Sequence, residues 1–298
     1  MTLPNIARLA GVSAALIFAG AANADTLQRT FDIGPGGTLV IDTQPGKVDI
    51  RTGGDDVRVE VVRTGDRAEE FNVEFREDGR GLTIKGSWPG VLSSWRSRPK
   101  ARIEYNITVP RAFDIDVRTS GGSVAIDDLD GDVEARTSGG SIRLGQIAGE
   151  VFADTSGGSI SLDGGGAGAR LDTSGGSIRV GEVAGSLVAS TSGGSIRIDG
   201  VGGNVRASTS GGSVEATLRG QPTEDCELST SGGTVTLNVP SFVAIDVDAS
   251  TSGGRVKSDL PLDQATLSKR SVRGQLNGGG PTMRLRSSGG GVRIRRAD

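Results

Sequence analysis

The pentapeptide Thr-Ser-Gly-Gly-Ser starts at Thr119, Thr137, Thr155, Thr173, Thr191 and Thr209, each 18 residues after the last. Looser copies follow at Thr230, Thr251 and Ser287. A fixed period this short reads as a solenoid, in which each repeat is one supersecondary unit stacked on its neighbours. Such an array builds a long surface more readily than it builds a single pocket.

One period, Asp132 to Gly149, shows how a coil forms. Val133, Ala135 and Thr137 alternate with Glu134 and Arg136, the pattern of a half-buried strand. Ser138-Gly139-Gly140 reads as a turn, since glycine permits positive φ. Ile142 and Leu144 then alternate with Ser141 and Arg143 in a second strand, and Gly145 to Gly149 makes the second corner. The apolar positions recur from coil to coil. One column runs Val133, Val151, Ala169, Leu187, Val205, and another Ile142, Ile160, Ile178, Ile196, Val214. No coil can bury its apolar strip alone, whereas stacking in register joins the strips into a continuous core. This predicts a single-domain, all-β parallel solenoid (a β-helix) with about 18 residues per coil.

The composition fits that reading. Glycine makes up 49 of 298 residues and aromatics only 3%, so the core is thin and regular. The steps from Thr209 to Thr230 and from Thr230 to Thr251 are 21 residues, with the extra residues placed at corners near Pro222 and Pro240. Thr251 to Ser287 spans 36 residues, read as two coils with the motif lost near Lys269-Arg270-Ser271. That counts ten coils between Asp114 and Arg295. Residues 25–112 lack the pentapeptide but alternate like strands, with a worn turn at Thr43-Gln44-Pro45-Gly46. They are expected to form an irregular β region capping the solenoid of 113–298.

Residues 1–24 have the layout of a secretory signal peptide. Arg8 and the amino terminus are followed by the apolar run Leu9 to Gly20 and by Ala22-Asn23-Ala24 before Asp25. The run is short for a bilayer span, and no later segment is apolar enough to cross as a helix. Export to the periplasm or the cell surface is therefore expected. Cys226 stands alone, so stability cannot rest on an intrachain disulfide. The chain has no histidine, which removes the commonest general base and metal ligand. No catalytic residue, metal site or cofactor is expected. Asp127 to Asp132 does not match a calcium loop, and the Thr-Ser-Gly-Gly turns lead into strands rather than the helix of a phosphate loop. Arg143, Arg179 and Arg197 share an outward column interrupted by Ser161 and Glu215, better read as a soluble face than as an enzyme's cleft.

The strand–Thr-Ser-Gly-Gly–strand units, as at Asp116 to Ile126 and Asp172 to Val180, and the Val-Pro pairs at Val109-Pro110 and Val239-Pro240, resemble the bacterial putative-adhesin family, a domain-of-unknown-function family. The resemblance implies an exported β-solenoid and supplies no catalytic residues.

Two regions outside the regular repeat are the candidate contact sites. Ser87 to Arg102 holds Trp88, Trp95, Arg96, Arg98, Lys100 and Arg102, suited to stacking on sugars or meeting anionic headgroups, unless the tryptophans plug the end of the core. The C-terminal coils carry Arg284, Arg286, Arg293, Arg295 and Arg296. Residues 251–298 have ten basic and three acidic side chains, net +7, against 22 basic and 33 acidic, net −11, in residues 25–250. A basic end could block edge-to-edge stacking or dock on a phosphate-rich surface. Expected partners are an envelope glycan, lipopolysaccharide or another protein, with self-association possible through the charged ends and nucleic acid set aside because of export. The leading expectation is a non-enzymatic structural or adhesive envelope protein. A self-assembling scaffold and a polysaccharide-active enzyme are the alternatives, the latter weakened by the missing histidine but open to carboxylate chemistry.

Overall fold

The computed structural model describes residues 16–19, 24–90 and 100–297. The chain starts with β1 (Leu16–Ala19), β2 (Ala24–Phe31), β3 (Gly37–Thr43), β4 (Lys47–Thr52) and β5 (Val57–Gly65). It continues through β6 (Asn72–Asp78), β7 (Gly81–Ser87), β8 (Ala101–Val109), β9 (Phe113–Thr119) and β10 (Val124–Ile126). The regular repeats supply β11 (Val133–Thr137), β12 (Ile142–Ile147), β13 (Val151–Thr155), β14 (Ile160–Gly165), β15 (Ala169–Thr173) and β16 (Ile178–Val183). They end with β17 (Leu187–Thr191), β18 (Ile196–Val201), β19 (Val205–Thr209), β20 (Val214–Leu218), β21 (Cys226–Thr230) and β22 (Val235–Val239). Last come β23 (Ile245–Thr251), β24 (Val256–Ser258), β25 (Asp263–Leu267), β26 (Ser271–Leu276), β27 (Thr282–Ser287) and β28 (Val292–Arg296).

Each coil contributes one strand to each of two 14-stranded sheets. The expected columns are in register. Val133 pairs with Val151, Ala135 with Ala153 and Ile142 with Ile160, all within parallel ladders and all buried between the sheets. At the usual strand spacing a sheet of this size extends about 62 Å.

The pentapeptide is explained by what it does at its corner. Every motif threonine is buried. The Thr137 hydroxyl donates to Gly122 O at 2.9 Å in the preceding coil and accepts from its own Gly140 N–H at 3.3 Å. The same pair of bonds recurs at Thr155, Thr173, Thr191 and Thr209. The second glycine is required by close approach. A Cβ on Gly140 would lie 1.9 Å from Gly122 O, the same carbonyl that holds Thr137. Positive φ, the reason expected for these glycines, is found in this column only at Gly46 and Gly122. The final serine links coils along the outside, with Ser159 N–H donating to Ser141 Oγ at 3.2 Å and Ser177 N–H to Ser159 Oγ at 3.1 Å.

The ends of the rod depart from chain order. β3 and β4 lie between the coil β7/β8 and the coil β9/β10. At the other end β27 and β28 lie between the coil β21/β22 and the coil β23/β24. The expectation of ten successive coils from Asp114 to Arg295 is corrected accordingly. That stretch makes nine coils, and the segment around Lys269-Arg270-Ser271 turns the antiparallel hairpin β25–β26 instead. The region expected to be irregular supplies two further coils, β3/β4 and β7/β8. Thr43 adds a rung at the start of the hydroxyl column, bringing it to ten, as its worn turn suggested.

Antiparallel strands finish both ends. β2 and β5 extend one sheet and β6 the other, while β1 pairs with β2 within the apolar run near the N-terminus. The outermost strand β25 is wholly exposed, breaks register between Asp263 and Thr266, and has Gln264 at φ 49°. A bulge on an edge strand discourages pairing with another edge. At the first rung Gly86 stands opposite Thr43, and Tyr105 fills the space, its hydroxyl 3.0 Å from Thr43 Oγ1. Burial pushes the Tyr105 phenol up to about 12.

Candidate functional site

The intercalated coil splits the C-terminal arginines between two faces. In β27, Met283 and Leu285 point into the core, so Arg284 and Arg286 face outward from the sheet containing β21 and β23. There they are neutralised. Arg284 pairs with Asp225 at 3.0 Å and Arg286 with Asp248 at 2.6 Å, while Arg273 reaches Asp248 from β26 at 3.3 Å. Asp225 is held below the usual carboxylate range by the Thr282 N–H and then by Arg284. The Arg286 hydrogen bond lowers Asp248 in the same way, with Arg273 assisting. The sequence expectation of one basic terminus formed by Arg284, Arg286, Arg293, Arg295 and Arg296 is therefore corrected. These residues sit on the penultimate coil, and the first two are engaged in ion pairs.

The opposite sheet face presents a different group. Val256, Val292 and Ile294 are buried, and alternation turns Lys257, Arg293 and Arg295 outward. β24 and β28 are parallel neighbours with Lys257 directly opposite Arg293. Arg255 precedes β24 and Arg296 ends β28, and both are exposed. Among the described residues none of these five cations lies within ion-pair distance of a carboxylate. Like charges placed directly opposite on neighbouring strands repel. Among the described residues the cluster is thus an unpaired cationic face of about two strands' width.

Arg255 and Lys257 were missed as neighbours of Arg293 and Arg295 because the hairpin β25–β26 and β27 separate them along the chain. The available signal was the shared alternation in Arg255-Val256-Lys257 and Arg293-Ile294-Arg295.

In the other expected contact region, Trp88 has a structural place. Trp88 is buried, with its ring edge-on to Phe71 at 5.1 Å between centroids, and it plugs the core end rather than offering a ligand platform. Lys100 and Arg102 are exposed, the latter 3.9 Å from Glu104. Trp95, Arg96 and Arg98 lie outside the described residues.

Two grooves line the rod's flanks. One, of about 840 Å³, lies where β2, β5, β8 and β4 meet, an arrangement that only the intercalated order creates. Within it Glu60 accepts from Gln28 Nε2 at 2.7 Å and Asn106 Nδ2 at 3.0 Å, and Arg51 pairs with Asp49 at 3.3 Å. The other, of about 820 Å³, carries Asp116 and Glu134, both 3.0 Å from Arg118. In the acidic corner, Asp128 and Asp132 accept the backbone N–H groups of Gln146 and Glu150, each at 2.8 Å. These carboxylates serve as braces for neighbouring coils.

The family model described as Toastrack DUF4097 matches residues 37–295, nearly the whole ladder from β3 to β28. The chain belongs to the Toastrack DUF4097 family. This agrees with the resemblance read from the Thr-Ser-Gly-Gly units. The Toastrack chain has matches among solved structures. One is a putative lipid binding protein from Parabacteroides distasonis, 15% identical, covering 94% of this chain and 98% of that chain with a TM-score of 0.42. Another is a putative adhesin from Bacteroides fragilis, 15% identical, with coverage of 91% and 97% and a TM-score of 0.40. A third is a putative cell adhesion protein from Clostridium sporogenes, 13% identical, with coverage of 91% and 99% and a TM-score of 0.22. None of them carries a residue role over to this Toastrack chain. Comparison with curated proteins finds no match. No helix among the described residues is long and apolar enough to cross a membrane.

Proposed function

We propose that this Toastrack protein is an exported, non-enzymatic binding protein of the cell envelope, docking through one sheet face on the phosphate headgroups of anionic lipid. The observation that carries the reading is the cation cluster Arg255, Lys257, Arg293, Arg295 and Arg296, with Lys257 in register with Arg293 and with no carboxylate partner among the described residues, while Arg284 and Arg286 are paired. A flat sheet face presents these charges to a planar surface, and each cation near an anionic leaflet contributes about 1 kcal/mol. The signal-peptide layout of residues 1–24 supports export. The absence of histidine and the bracing of the groove carboxylates support a binding rather than an enzymatic role.

Co-sedimentation with phosphatidylglycerol vesicles, against phosphatidylcholine vesicles, tests the reading. Lys257→Ala with Arg293→Ala should weaken binding to the anionic vesicles about 30-fold, whereas Arg284→Ala should change it little. Equal partition onto both vesicle types would refute the proposal.

A further inference from the structure

The last coil of the chain fills a slot built by earlier residues. β23 pairs only with β26 and β27, and β24 only with β28. No strand ladder therefore joins residues 245–276 to the rod unless the terminal coil is seated. The coil closes the hydroxyl column on both sides, with Ser287 Oγ donating to Gly233 O at 2.8 Å and Thr251 Oγ1 donating to Gly290 O at 2.6 Å. Its outward arginines reach Asp225 in one flank of the slot and Asp248 in the other.

The segment that returns the coil to this slot is short and constrained. Residues 277–281 leave β26, pass the start of β23 and enter β27 on its far side. Asn277, Gly278 and Gly279 have φ values of 52°, 89° and 84°, three successive residues in the left-handed region. A Cβ on Gly279 would lie 2.5 Å from Asp246 Oδ1, and one on Gly280 would lie 2.6 Å from Ala244 O. The glycines leave this short connection free to adopt another backbone path, as exchange of the element it carries requires. Straightened, five residues reach about 17 Å, enough for the coil to move out of its slot while β26 stays in place.

We propose that the coil 282–296 is a donor element exchanged between copies of this chain, each copy seating its coil in the slot of another. The slot's register partners, from Cys226↔Met283 to Thr251↔Ser287, are the same whichever copy supplies the coil. Exchange preserves these pairings, which makes it a low-cost route to assembly. It joins rods through continuous ladders, independently of the charged faces.

Cys226 provides the probe. It is the only cysteine, it is buried, and Met283 is its register partner. Neighbouring parallel strands hold such partners about 4.8 Å apart, within disulfide range. In Met283→Cys a disulfide can form only with a seated coil. Copper-catalysed oxidation should yield mostly intrachain disulfide in dilute solution. At high protein concentration the product should shift to disulfide-linked dimers and larger species, all abolished by adding Cys226→Ser. Intrachain product alone at every concentration would overturn the proposal. The unmodified chain gives a second readout that does not depend on the variant folding. Light and heavy isotope-labelled protein, mixed at high concentration, should give mixed oligomers in native mass spectrometry. These should survive preincubation at about 1 M salt, where charge attraction is screened beyond about 3 Å. Monomers alone would overturn it as well.

Discussion

The two glycines of each turn look interchangeable in the sequence and are not equivalent in the structure. An added Cβ at Gly139 meets nothing nearer than Gly121 Cα at 4.0 Å, whereas at Gly140 it lies 1.9 Å from Gly122 O. Relief requires the neighbouring coils to part by roughly 1.5 Å to reach ordinary contact. That movement would take Thr137 Oγ1→Gly122 O, now 2.9 Å, and Val124 N→Ser141 O, now 3.0 Å, out of hydrogen-bonding range. Strain from overpacking and two lost bonds together amount to about 3 kcal/mol for Gly140→Ala. Gly139→Ala should stay within about 0.5 kcal/mol of the parent. The first-glycine column tightens along the rod, from 3.4 Å at Gly157 to 2.9 Å at Gly193 and 2.8 Å at Gly211. Gly211→Ala is therefore expected to fall between the two. Urea denaturation of the parent and the three variants measures the order. Indistinguishable midpoints for Gly139→Ala and Gly140→Ala would refute the argument that close approach, rather than turn conformation, selects the second glycine.

The hydroxyl column makes a related prediction: Thr173→Val keeps the shape but leaves Gly158 O and Gly176 N–H without their partner, and should cost about 1–3 kcal/mol. Thr173→Ser, which retains the hydroxyl, should lose only about 0.8 kcal/mol for the missing methyl, and the reverse order in urea denaturation would contradict this account. Tyr105 is the only tyrosine, so phenolate absorbance follows its titration directly. Its folded value near 12 lies above the model-compound value of 10.0, so its stabilisation is complete below pH 10 and is lost as pH rises toward 12. The loss is about 3 kcal/mol. Absorbance changing near pH 10 in the folded protein would show the phenol is not buried against Thr43. For Asp225 and Asp248 the sign is opposite, because their folded values are lowered. Their contribution is present above about pH 4 and disappears as pH falls below it. Limited proteolysis near pH 3 should then cut first in 277–281, and Asp248→Asn should show that cut already at neutral pH.

Along the regular rod, the fold was legible because each apolar position and each Thr-Ser-Gly-Gly recurs at one spacing, and parallel stacking is the arrangement that buries them all. The order of coils at the ends carried no such signal. β27 and β28 have the same alternation as any other coil, and Ser287-Ser288-Gly289-Gly290 matches the turn of whichever coil precedes it. Its place is marked by the pairing of Arg284 with Asp225 and of Arg286 with Asp248, contacts spanning 59 and 38 residues. The site inherits that limit. Arg293 was visible as a basic residue, but its neighbour across the ladder is Lys257 rather than the residue one period back, Gln275. Trp88 is open to two readings for a related reason. A tryptophan in a Pro/Gly-flanked segment resembles a ligand platform until Phe71, 17 residues earlier, is found against its ring. Both ends of this rod are finished by residues that have no counterpart in the repeat. The repeat therefore specifies the body, and long-range pairs specify where the body stops and which of the described charges are taken up in ion pairs.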